Sequence, residues 1–277
     1  MDTTKMFSQL DYTGWLQEHR LDDLYGVDVA AYGAIDAHQS KPTYLAVDAA
    51  NEVPLAPELD DLVRLHYLAV TRRVTTVLEF GVGQSTLAFG DAVAKNSVAH
   101  GDFVSANLRR GNAFEVHSVD TSAEWITTCR ERLPSDLRSF VTLHQSDASM
   151  TTFGGRACTM YDEIPNLCPD LIYIDAPDQY SVRGSVHGLS TAHVDRVPMA
   201  ADLLLMEPFL LPGTLVVIDG RSANARFLVN NLQRRWQYED YRDGEFHTLE
   251  LVEAPLGAIN ERQLRYCLGD DWPGLRL

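Results

Sequence analysis

The sequence predicts an α/β fold: a doubly wound, mostly parallel sheet that ends in an antiparallel hairpin, preceded by a helical N-terminal segment. Three observations predict it. From Val74 onward, short β-branched runs alternate with amphipathic helical stretches, the order that builds a parallel sheet with helices on both faces. The runs VTTVLEF and TLVVID are apolar almost throughout, as strands buried on both faces are. Near the end, residues 238–242 and 246–252 flank Asp243-Gly244, a pair suited to a tight chain reversal.

Taken in order, residues 15–25 and 59–70 have helical spacing of apolar side chains, with Pro42, Pro54 and Pro57 punctuating the stretch between them. Residues 1–71 therefore form a helical extension or cover. Strands are expected at 74–80, 114–119, 140–145, 171–175 and 214–219, and helices at 85–95, 122–132, 195–211 and 223–236. Residues 96–112, which bear glycine, asparagine and arginine, read as an inserted loop. The sheet domain spans 72–253, and 254–277 form a tail without assigned structure.

Composition excludes several classes. With 45% hydrophobic residues the chain is not disordered. Its 23 Lys+Arg against 39 Asp+Glu give a net charge of −16, which argues against nucleic acid as the main partner and for a soluble protein with a neutral or cationic ligand. The longest apolar stretch, 203–218, is interrupted by Glu207, Pro208, Pro212 and Gly213, so no membrane span is expected. The first residues lack a basic segment followed by an apolar one, as a secretory signal would have. Cys129, Cys158, Cys168 and Cys267 are scattered without a C-x-x-C pair and read as reduced thiols of a cytoplasmic chain.

In open α/β sheets, ligands bind beyond the carboxyl ends of the strands, where strand order reverses. The first strand ends in Glu79-Phe80-Gly81-Val82-Gly83-Gln84-Ser85-Thr86. Gly81 and Gly83 permit a tight turn and a close ligand, and Ser85 or Thr86 can open a helix. Thr86 stands where a dinucleotide fingerprint has its third glycine. The Glu79 carboxylate would repel a pyrophosphate and attract a cationic ligand such as S-adenosylmethionine, with its sulfonium and ammonium. The second strand ends at Asp120, followed by Thr121; an acidic residue there accepts both hydroxyls of a ribose or caps the next helix. After the third strand, Ser146-Asp147-Ala148 offers a side chain and backbone N–H to an adenine edge, or a plain exposed turn.

Residues 79–86, Asp120, Asp147-Ala148 and the run PDLIYIDAP together resemble the successive motifs of class I S-adenosylmethionine-dependent methyltransferases of the small-molecule O-methyltransferase kind. The resemblance covers residues 72–252. It implies a seven-stranded sheet with S-adenosylmethionine held by Glu79, Gly81, Gly83, Ser85, Asp120, Thr121, Asp147, Ala148 and Asp175.

Methyl transfer is an in-line displacement in which the protein aligns donor and nucleophile and takes up a proton. Two devices suggest themselves. Asp175 and Asp219 end neighbouring strands and are placed to share a Mg²⁺. The family arrangement this resembles follows the second Asp with Asn or Asp; Gly220 stands there, leaving Asn224 or Asp178 as third ligand. The other device is a histidine base, His187 or His193, in the loop 176–198. Asp175 is the remaining catalytic candidate. Arg183, Arg221 and Arg226 are placed to bind an anionic group or to pair with carboxylates, and Tyr161 and Tyr180 to line a pocket. The expected function is methyl transfer to a small hydroxylated acceptor, at oxygen. The alternatives are a nicotinamide-dependent oxidoreductase and a non-catalytic nucleoside-binding relative. Trp15 and Trp272 are candidate contacts with a second copy of the chain.

Overall fold

The computed structural model describes Phe7, residues 10–28 and residues 57–277; the prolines at 42 and 54 lie outside the described residues. Seven strands form one sheet: β1 (Thr76–Phe80), β2 (Glu115–Asp120), β3 (Val141–Gln145), β6 (Leu171–Ile174), β7 (Leu215–Asp219), β8 (Trp236–Tyr241) and β9 (Phe246–Leu251). Their order is β3-β2-β1-β6-β7-β9-β8. The first five run parallel, and β9 lies antiparallel between β7 and β8. The chain leaves β1 toward β2 on one side and returns to β6 on the other. A crevice therefore opens beyond the carboxyl ends of β1 and β6.

Alternation along the strands divides the core into two layers. Leu78, Phe80, Ile172, Ile174, Val216 and Ile218 face one side. Val77, Tyr173 and Val217 face the other, against Leu65, Leu68, Phe89 and Val93. The latter side is covered by α3 (Leu59–Thr71) and α4 (Gln84–Asn107). The N-terminal helices α1 (Tyr12–Glu18) and α2 (Leu21–Tyr25) pack on α3 through Tyr12, Leu16, Leu21, Leu59 and Val63.

Four expectations change. The loop expected at 96–112 is the second half of α4, which runs unbroken to Asn107. Asn96 is no breaker there: it is buried, and its Nδ2 donates to the carbonyls of Ala69 (3.0 Å) and Val74 (2.9 Å), tying α4 to the end of α3. The helix expected at 195–211 shrinks to α6 (Asp202–Met206) with a 3-10 turn at Glu207–Phe209, because Pro198 and Pro208 bracket it. The helix expected at 223–236 is α7 (Ser222–Val229), and Trp236 opens β8. The tail carries α8 (Ala258–Leu268), whose Gln263 donates to the buried Asp170 (2.7 Å).

A two-stranded hairpin, β4 (Ala148–Phe153) with β5 (Arg156–Tyr161), went unforeseen between β3 and β6. Its reversal is Gly154-Gly155, both at positive φ (55° and 77°), as two-residue hairpin turns require. The tryptophans face inward: Trp15 Nε1 donates to His66 Nδ1 (3.0 Å), and the buried Trp272 donates to Glu250 (2.9 Å). Trp15 is half-buried and Trp272 buried. Among the described residues, no helix is long and apolar enough to cross a membrane. The four cysteines are free thiols.

Candidate active site at the strand-order reversal

Gly81 follows β1 with φ at +111°, and a Cβ there would lie 3.3 Å from the Ala176 Cβ after β6. Glycine is required by both the backbone and the neighbour. The turn that results is held from β2: Gly81 N–H donates to the Val119 carbonyl (2.8 Å), and Val82 N–H donates to Asp120 Oδ2 (2.8 Å). Gly83 N–H donates to Thr86 Oγ1 (3.1 Å), and α4 begins at Gln84. A Cβ on Gly83 would meet nothing within 4 Å, so the turn has open space beside it.

Glu79 is placed differently from expectation. Its charge was expected at the mouth of the turn; the side chain instead lies fully buried beneath it. Ser85 Oγ donates to Oε1 (2.5 Å), while Thr86 Oγ1 (2.6 Å) and Ser118 Oγ (2.5 Å) donate to Oε2. Burial pushes its pKa up to about 7 against the pull of the three hydroxyls. The reason is strand parity: Glu79 shares the face of Val77, toward α4, so it ties β1, β2 and the first turn of α4 together. Ser85 is likewise turned inward onto Glu79.

Asp120 lies beside this turn, half-buried at the end of β2. Its Oδ1 accepts from Ser122 N–H (2.7 Å) and its Oδ2 from Val82, and Thr121 N–H also bonds to the carboxylate. Desolvation raises its pKa and these donors oppose the rise. Each carboxylate oxygen offers about two acceptor sites, so Asp120 retains capacity for a ligand. Capping falls to Ser122, whose Oγ accepts from Trp125 N–H (3.2 Å) at the start of α5 (Ala123–Arg132). Asp147 is paired with Arg183 (2.5 Å), and Ala148 is buried where β4 begins. Arg183 thus serves a carboxylate of its own chain.

The carboxyl ends of β6 and β7 are more open. Asp175 is about half exposed and faces Arg221 Nε at 3.6 Å. Arg221 also donates to the carbonyls of Pro177 (3.0 Å) and Asp175. Asp219 accepts from the Tyr173 hydroxyl (3.2 Å) and lines a small cleft with Asp61, Arg64 and Phe246. Asn224 is fully buried in the protein interior: its Nδ2 donates to the Ala200 carbonyl (3.0 Å), and its Oδ1 has no hydrogen-bond partner. Asp178 Oδ1 accepts from Tyr180 N–H (2.8 Å) within a turn. Among the described residues no three His, Cys, Asp or Glu side chains converge. The donor set does not fit the expected Mg²⁺ site.

Neither histidine of the 176–198 loop is set for catalysis. His187 stands exposed at the tip of a reversal closed by Val186 and Leu189, with φ at +51°. His193 is exposed, and its Nδ1 accepts from Asp195 N–H (3.1 Å). Tyr161 is a buried wall beside the turn, stacked on Phe80 at 5.6 Å between ring centroids. The contribution of the N-terminal helices was missed: the Tyr25 hydroxyl donates to the Gln84 carbonyl (2.9 Å) at the start of α4. That contact joins residues 59 apart, and no local pattern signals it.

No protein-family model matches the sequence, and no curated protein matches it. Among solved structures, similarity is found to the O-methyltransferase TomG of Streptomyces achromogenes, involved in tomaymycin synthesis, in complex with S-adenosylmethionine (14% identity, 71% of this chain and 82% of that one, TM-score 0.42). The Bacillus cereus O-methyltransferase in complex with S-adenosylhomocysteine shares 12% identity over 89% of this chain and 96% of that one, with TM-score 0.39. The methyltransferase PaMTH1 of Podospora anserina, with S-adenosylhomocysteine bound, shares 14% over 71% and 80%, TM-score 0.39. At such identities and scores the likeness decides nothing about this chain; its fold rests on the strand order.

Proposed function

We propose that the chain is an S-adenosylmethionine-dependent methyltransferase that acts on a small hydroxylated acceptor, at oxygen. One observation carries the reading: Asp120 is tethered to the glycine turn at the strand-order reversal, with acceptor capacity to spare and open space beside Gly83. A nucleoside lying there would place its ribose hydroxyls on Asp120, its adenine edge near Asp147 and Ala148, and its amino-acid end along Gly81 and Gly83. Bound S-adenosylmethionine supplies a methyl group already activated by the sulfonium.

The chain's own residues would do the rest. Glu79, by gathering Ser85, Thr86 and Ser118, fixes the turn against which the cofactor lies. Val82 and Gly83 N–H are already engaged by the protein, so a pyrophosphate would find those donors occupied; this disfavours the nicotinamide reading. Asp175, about half exposed at the end of β6, is the group to which an acceptor hydroxyl would donate. Arg221, bonded to the carbonyls on either side of Ala176, holds that segment in place.

Isothermal titration with S-adenosylmethionine, S-adenosylhomocysteine and NADH tests the reading. Saturable 1:1 binding of the first two, without NADH binding, is expected; binding of NADH alone would overturn it. Tight cofactor binding with no S-adenosylhomocysteine formed across a panel of phenols, sugars and alcohols would favour the non-catalytic relative instead.

A further inference from the structure

Away from the glycine turn, a second constellation begins at the carboxyl end of β7, next to Arg221, and runs toward the antiparallel edge of the sheet. β7 is followed by Gly220 at φ +57°, Arg221 and then Ser222, the first residue of α7. Ser222 is exposed, and its Oγ lies 2.9 Å from Nε2 of His247 on β9. His247 is buried, and its Nδ1 is 3.0 Å from the Tyr238 hydroxyl and 3.5 Å from Asp240 Oδ1, both on β8. An exposed hydroxyl thus meets one nitrogen of a buried imidazole, and a phenol and a carboxylate meet the other.

The tautomer follows from charge. The Asp240 carboxylate favours a proton on Nδ1, donated toward the Tyr238 oxygen, and that leaves Nε2 as an acceptor for Ser222 O–H. Burial lowers the pKa of His247, as does Arg226 of α7, while Asp240 of β8 and Asp219 of β7 raise it. The ring is a neutral base near pH 7. Nothing in a β7–α7 junction requires this chain of contacts, since the N-cap position of α7 makes no side-chain cap and Ser222 does not serve as one. The first N–H groups of the helix lack intrahelical acceptors and carry partial positive charge. They are the donors available to a developing oxyanion beside Ser222.

We propose that Ser222 and His247, with Tyr238 and Asp240 orienting the imidazole, form a second reaction centre in which Ser222 is a base-activated nucleophile toward small activated esters. Ser222 Oγ attacks the ester carbonyl carbon as its proton passes to His247 Nε2. The carbon–oxygen bond to the leaving group then breaks, and that oxygen takes the proton. Water, deprotonated by the same nitrogen, cleaves the acyl-serine and restores the hydroxyl. The chain order, serine, then aspartate, then histidine, is also that of one known group of such sites, although the roles rest on geometry alone.

Incubation of the full chain with a fluorophosphonate probe, without S-adenosylmethionine, tests this directly. One covalent adduct per chain is expected, on the peptide that contains Ser222, with a burst of p-nitrophenol from p-nitrophenyl acetate. Ser222→Ala is expected to abolish both, with a small fall in thermal midpoint because His247 Nε2 loses its hydroxyl partner. His247→Gln is expected to slow labelling by about 100-fold or more. The wild-type labelling rate is expected to rise with pH to a plateau, half-maximal below pH 6.5. In Asp240→Asn that acid limb moves to lower pH, since the variant loses the negative charge that stabilises the imidazolium. The absence of an adduct on the wild type, an adduct on another residue, or a labelling rate without this acid limb would overturn the proposal. The limb is read on the wild type, so the test holds even where His247→Gln does not fold.

Discussion

The carboxyl ends of β1 and β2 differ in kind from those of β6 and β7. At the first pair, polar groups are buried or half-buried and tied to their neighbours: Glu79 accepts from three hydroxyls, and Asp120 accepts from Val82 and Ser122. At the second, carboxylates are partly exposed, with Asp175 facing Arg221 and Asp219 accepting from Tyr173. The closed pair is rigid and suits a cofactor that is always the same. The open pair presents more of its carboxylate surface to an arriving acceptor. Preorganisation at one site and accommodation at the other are the division of labour expected where donor and acceptor must be aligned.

Substitutions at the two ends sharpen the contrast. Gly81→Val should act most strongly, because it combines an unfavourable φ with a 3.3 Å contact to Ala176. S-adenosylmethionine binding should weaken by more than about 100-fold, with stability lowered by roughly 1–3 kcal/mol, read by titration calorimetry and by urea unfolding. Next comes Glu79→Ala, which strands the buried Thr86 and Ser118 hydroxyls and the half-buried Ser85 hydroxyl and should cost about 3 kcal/mol in urea unfolding. A stable Glu79→Ala protein would show that the closed cluster is not a strut.

Glu79 also predicts a pH dependence. Its folded-state pKa, about 7, lies above its ordinary value of 4.5. The protonated form is therefore favoured by folding, and that stability is complete below pH 4.5 and lost as pH rises through 7. Asp202, also buried and raised to about 7, contributes with the same sign. The urea midpoint of wild type relative to Glu79→Gln should therefore fall between pH 4.5 and 7; parallel curves would contradict the shift.

Asp120→Asn should weaken S-adenosylmethionine binding about 10- to 100-fold, the value of charge-assisted bonds of roughly 1.5–3 kcal/mol, and lower stability in urea by about 1–3 kcal/mol, because one of the Val82 and Ser122 N–H donors loses its acceptor. At the open end of the scale, Arg183→Ala removes an ion pair whose Arg side chain is 66% exposed. Binding and stability should change by less than about threefold and 0.5 kcal/mol. A larger effect would mean that Asp147 needs its partner to meet the cofactor.

What the sequence made legible follows the same division. VTTVLEF, TLVVID and the glycine turn were readable because burial on both faces and a forced φ leave marks within a few adjacent residues. The β4–β5 hairpin was not read, because MTTF and ACTMY alternate too weakly to stand out as strands, although Gly154-Gly155 and the long unassigned stretch 146–170 both pointed to one. Asn96 misled because a single asparagine looks like a breaker unless its partners, Ala69 and Val74 carbonyls, are known. His187 and His193 were chosen for chemistry alone. Ser222 and His247 are separated by 25 residues and join only through the pairing of β7 with β9, a register that local patterning does not contain. Glu79 lay between these cases: its identity was legible, and the direction of its side chain was a matter of strand parity that the motif did not reveal.

The most direct measurement of the central claim is the electron density of crystals grown with S-adenosylhomocysteine. The account expects the ribose hydroxyls within hydrogen-bond distance of Asp120, with the amino-acid end along Gly81 and Gly83. Density for the nucleoside at any other edge of the sheet, or none after saturation, would contradict it.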